Sequence, residues 1–63
     1  MNAPQAYVAK SGAWVSFDKG GSDGMYIVKL YSASGNLIDK VRCDDYRNAC
    51  AYKRSFIAIA KNQ

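Results

Sequence analysis

The sequence predicts an α+β domain, a three-stranded antiparallel sheet followed by one C-terminal helix packed on it, in the order βββα. Three observations carry this. Two apolar, β-branched-rich runs flank Ser34-Gly35-Asn36, a similar alternating run covers residues 13–18, and Asp44-Asp45 opens a stretch with helical periodicity.

Residues 1–11 read as a loosely ordered segment or an edge strand with Tyr7 and Val8 in it, and residues 12–63 as a single βββα domain. Residues 13–18 form the first predicted strand, with Trp14 and Ser16 pointing one way and Val15 and Phe17 the other. Lys19-Gly20-Gly21-Ser22-Asp23-Gly24 then supplies hairpin-loop chemistry. Residues 25–32 are the strongest strand: Tyr26, Val28 and Leu30 share one face, and Met25, Ile27 and Tyr31 the other. Gly35 provides the positive φ of a tight connection, and Asn36 tolerates the same region, so residues 37–43 return antiparallel. Leu37 and Val41 are assigned to one side of that strand and Ile38 to the other; the adjacent apolar pair followed by Asp39-Lys40 suits a bulge.

Asp44 or Asp45 caps a helix over residues 46–61, because a carboxylate accepts the orphan amide bonds of the first turn. At ~100° per residue, Tyr46, Ala49, Cys50, Tyr52, Phe56, Ile57, Ile59 and Ala60 occupy the half that should lie on the sheet. Lys53 falls within this half, where its stem is expected to be buried and its ammonium to reach water. Ala51, Ser55 and Ala58 form a ridge of small residues on the opposite half, flanked by Arg47, Arg54 and Lys61.

Composition narrows the function more than it identifies it. At 63 residues the chain can bury a core giving only about 3–5 kcal/mol without a staple or partner. Nine basic residues against five acidic ones, all Asp, give a net charge of +4, which favours polyanions weakly. With no His and no Glu, the usual general bases, a Ser-His-Asp triad and the His ligands of zinc are excluded, so no catalytic residue, metal or cofactor is expected. The loop at 18–24 lacks the ligand spacing and closing Glu of a calcium loop, and no Gly-Lys-Ser/Thr follows Gly20-Gly21. The start of the chain has neither the basic residues nor the apolar run of a secretory signal, and no window reaches a membrane span, so a cytoplasmic protein without membrane association is expected. Cys43 and Cys50 are then expected as reduced thiols, although a bridge is geometrically possible if Cys43 faces the helix. Cys50 reads as a small packing residue rather than a reactive thiol.

Trp14 and Lys19 ahead of a loop, then Tyr26, Val28, Leu30, Gly35, Ile38, Tyr46, Phe56, Ile59 and Asn62, resemble one repeat of the YegP-like family of small bacterial proteins. The resemblance covers about four fifths of the chain, from Gly12 onward. Here the family's Asn-Gly turn is Ser34-Gly35, and the stretch from Ile38 to Tyr46 is about two residues longer. The resemblance implies a sheet-and-helix unit found twice in one chain or once per subunit of a pair, with no catalytic residues to carry over.

One helix can cover Tyr26, Val28 and Leu30, which leaves Met25, Ile27, Tyr31, Leu37 and Val41; an apolar patch of that extent predicts a homodimer. The function expected first is a non-enzymatic, dimeric interaction or regulatory module that binds a protein partner, with Trp14, Tyr31, Arg47 and Arg54 as contacts. The alternative is nucleic-acid binding, with Tyr26 or Tyr31 and Trp14 available to stack bases and Lys29, Lys40, Arg42, Arg47 and Arg54 to meet phosphates.

Overall fold

In a computed structural model, which describes residues 5–20 and 24–62, the chain forms four strands and one helix. The strands are β1 (Gln5–Val8), β2 (Trp14–Lys19), β3 (Tyr26–Tyr31) and β4 (Leu37–Cys43), followed by α1 (Tyr46–Lys61). They make one antiparallel meander in the order β1-β2-β3-β4. The expected three-stranded sheet is therefore one strand short: the segment before Gly12 pairs with β2 through Gln5, Tyr7 and Val8. The part of the hairpin-loop expectation that falls on residues 21–23, and the part of the N-terminal expectation on residues 1–4, lie outside the described residues.

Two hairpins share one loop design. In the first, the Ala9 amide donates to the Ala13 carbonyl at 2.8 Å and the Gly12 amide to the Ala9 carbonyl at 3.0 Å. In the second, the Ser32 amide donates to the Asn36 carbonyl at 2.8 Å and the Gly35 amide to the Ser32 carbonyl at 2.9 Å. Each three-residue loop ends in Ser-Gly, with Gly12 at φ 98° and Gly35 at φ 94°, the left-handed position that a turn of this length needs. Gly35 alone carries the positive φ in its loop, so Asn36 is not used that way. The turns lie side by side: a Cβ built on Gly12 would stand 3.1 Å from the Ala33 Cβ.

The core lies between the sheet and α1. Val15, Val28 and Leu30 are fully buried, and Ala49, Phe56 and Ala60 of α1 close over them, with Ala9, Ala13 and Cys43 at the margins. Burying a side chain such as Leu30 stabilises the fold by about 1.5–3 kcal/mol. Asp45 caps α1, its carboxylate accepting the Arg47 amide at 3.3 Å, and Lys61 sits in the last turn where a cation is favoured.

The expected helix stripe was too wide. Tyr46, Tyr52 and Ile59 are exposed, because one helix on a small sheet buries a stripe nearer 100° than the half-wheel assigned to it. Lys53 behaves as expected, half-buried with its ammonium 5.4 Å from the centre of the Phe17 ring. Strand β4 brings a second correction. Val41 pairs with Val28 and packs on the core, whereas Leu37 pairs with Tyr31 on the other face. The cause is a bulge: Leu30 pairs with Asp39 and Tyr31 with Leu37, so Ile38 is the extra residue. Both cysteines are free thiols, Cys43 buried beneath the helix and Cys50 half-buried on it.

Candidate sheet-face binding site

Because side chains alternate along each strand, α1 covers the face bearing Val15, Phe17, Tyr26, Val28, Leu30 and Val41, and no described element covers the other. Register arranges that open face in three rungs, about 7 Å apart along the strands. The first, next to the paired Ser-Gly turns, runs Val8, Trp14, Tyr31, Leu37, with the bulged Ile38 beside it. The second runs Ser16, Lys29, Lys40, and the third Asp18, Ile27, Arg42.

The first rung is an aromatic and apolar ledge. Trp14 and Tyr31 stack with centroids 4.8 Å apart and planes 17° from parallel, and both are half-buried. Around them Val8 is 55% exposed, Leu37 51% and Ile38 44%, so the ledge stands largely in water. The Trp14 Cζ-edge approaches the second turn, where a Cβ on Gly35 would lie 3.9 Å from its Cη2 atom.

The second rung has the opposite chemistry. Lys29 and Lys40 are direct cross-strand neighbours, and no residue of that rung is acidic. Like charges placed directly opposite one another destabilise a sheet by about 0.2–1 kcal/mol. Ser16 of the same rung is buried. Asp18 and Arg42 stand at opposite ends of the third rung, with Ile27 between them.

Of the residues singled out from the sequence, the fold thus gathers Trp14, Lys29, Tyr31, Lys40 and Arg42 on one face. Arg47 and Arg54 are exposed on α1, across the thickness of the sheet from that face, and do not join them. The ridge of Ala51, Ser55 and Ala58 is exposed as well. Sequence reasoning placed Ser16 beside Trp14 but missed Val8 and Asp18 as members of the face; the repeated Ser-Gly turn at Ser11-Gly12 was the available sign that Val8 pairs beside Trp14.

Two other features belong to the helix side. Phe17, Tyr26 and Tyr46 form a cluster with centroids 5.5–5.9 Å apart. The Tyr46 phenol is held above its ordinary pKa, first by its hydrogen bond with the Cys50 thiol and then by repulsion from the charged thiolate. A cleft of about 400 Å³ lies between the first turn and the helix end, lined by Tyr7, Ala9, Lys10, Ser11 and Lys61, and the Lys61 ammonium is 5.9 Å from the Tyr7 ring centre.

Among the described residues no three His, Cys, Asp or Glu side chains cluster as metal ligands, and no helix is long and apolar enough to cross a membrane. Comparison with family models, with curated proteins and with solved structures yields no match for this chain.

Proposed function

We propose that the protein is a non-enzymatic binding module whose open sheet face holds nucleic acid. The observation that carries this reading is the Lys29–Lys40 pair, two lysines paired directly across strands on the face that no described element covers. That arrangement costs stability in the free protein, and an anionic ligand converts the cost into attraction. Arg42 on the next rung and the net charge of +4 act in the same direction.

The test is titration of the full chain with labelled oligonucleotides at several salt concentrations. Binding through two or three phosphate contacts gives a slope of log K against log salt of about −1.5 to −3. Lys29→Gln and Lys40→Gln each reduce that slope by about 1. Absence of binding at low salt, or affinity indifferent to both substitutions, rejects the reading.

A second reading, a protein partner or a second copy of the chain on the same face, has the exposed Val8, Leu37 and Ile38 in its favour. In a face-to-face homodimer, however, a two-fold axis through the middle of the sheet sets the lysine rung against its own copy and concentrates four ammonium groups in a desolvated interface. Val41, counted in the apolar surplus that suggested pairing, belongs to the core instead. Sedimentation equilibrium separates the readings: a stable dimer at micromolar concentration with no oligonucleotide binding favours the second.

A further inference from the structure

We infer that the ligand is single-stranded nucleic acid, with a base stacked on the Trp14–Tyr31 pair while its flanking phosphates lie along the Lys29–Lys40 rung. This deepens, and rests on, the nucleic-acid reading of the same face. The juxtaposition that points to it is a half-buried two-ring stack one rung, about 7 Å, from the cross-strand pair Lys29–Lys40. A polyanion lacking rings would use the lysines and leave the aromatic ledge in water. A duplex presents phosphates but keeps its base faces within its own stack. Only an unpaired strand offers both a free π-face and a backbone charge next to it, the combination by which single strands are bound without sequence preference.

The surroundings fit that occupant. Trp14 and Tyr31 each use one ring face on the other, and this contact orders the rings before a base stacks on the solvent-accessible part of the pair. Val8 at one end of the rung and Leu37 with Ile38 at the other provide apolar surface for the sugar and base edges. No base-edge reader of the kind that fixes a sequence stands on the first rung, so tolerance of sequence follows.

Trp14 is the sole tryptophan, which makes the stack its own reporter. The experiment follows its fluorescence while the chain is titrated with a twelve-nucleotide oligothymidylate, a duplex of matching length, and heparin. The expected result is strong quenching by the single strand, little by the duplex or heparin, and tighter binding of the single strand. Trp14→Ala should weaken oligothymidylate binding about 5- to 100-fold and leave heparin binding unchanged, while Trp14→Phe retains most of the affinity. Should Trp14→Ala lose its fold by circular dichroism, Tyr31→Ala with Trp14 still present takes its place, with the same selective loss expected. If all three polyanions bind equally and without quenching, the stacking inference is overturned while the cationic site stands. If none binds, both fall together.

Discussion

Replacing Lys40 by Glu should make the protein more stable and a poorer binder at once. Directly opposed residues in an antiparallel pair have Cβ atoms about 5 Å apart, and splayed ammonium groups on them stand at about 7 Å. In water, two unit charges at that distance repel by about 0.6 kcal/mol, and Lys40→Glu reverses the sign, a change of about 1.2 kcal/mol in the pair Lys29–Lys40. Screening at physiological ionic strength reduces this to about 0.5 kcal/mol. For a domain of this size the expected rise in Tm is about 5–10 °C at very low salt and about 2–4 °C at 0.15 M. Thermal melts followed by circular dichroism at three salt concentrations measure the rise, and oligonucleotide titration of the same protein measures the loss of affinity. A neutral control, Lys40→Gln, should show about half the stabilisation at low salt. A Tm that falls, or a gain that does not shrink with salt, would refute the cross-strand repulsion on which the binding proposal rests.

Further outcomes follow from the core, the turns and the helix start. Leu30→Ala removes a fully buried side chain from the central strand and should cost about 2–5 kcal/mol, leaving most of the chain unfolded by circular dichroism at 25 °C, since the whole domain holds only about 3–5 kcal/mol. Gly12→Ala and Gly35→Ala both force a side chain into the left-handed region, at about 1–2 kcal/mol each. Gly12→Ala should melt lower than Gly35→Ala, because its Cβ meets the Ala33 Cβ at 3.1 Å whereas that of Gly35 has 3.9 Å to Trp14. The raised pKa of Tyr46 means that its neutral phenol is favoured in the folded state. The corresponding stability is fully present below about pH 10 and lost as pH climbs through the higher folded value. Cys50→Ala should bring the ultraviolet titration of that phenol back toward the ordinary value, and an unmoved midpoint would remove the thiol as the cause.

Much of the fold was legible because it is written locally. The bounds of β4 and α1 follow directly from the turn at Gly35 and the cap at Asp45, and the apolar face of β3 follows from its alternation. Even the bulge could be read from the adjacent Leu37 and Ile38. Strand β1 was harder. Gln5–Val8 is short and weakly alternating, and the turn that joins it to β2 uses the same Ser-Gly ending as the second hairpin, a repetition visible only once both loops are compared.

The sequence by itself determined the class of fold, the two faces of its central strand, and the lack of residues for the usual acid–base and zinc chemistry. Only the tertiary structure decided which residues share a site. Pairing across strands joins positions far apart in the chain, so Trp14 meets Tyr31 and Lys29 meets Lys40 through register, which hydrogen bonding between strands sets and one bulge can shift. The same register sent Val41 to the core and Leu37 to the open face, and the helix, by choosing one side of the sheet, separated Arg47 and Arg54 from Lys29, Lys40 and Arg42. An apolar surplus in the sequence thereby became an aromatic ledge beside a charged rung, because alternation specifies faces but only packing chooses which face stays in water.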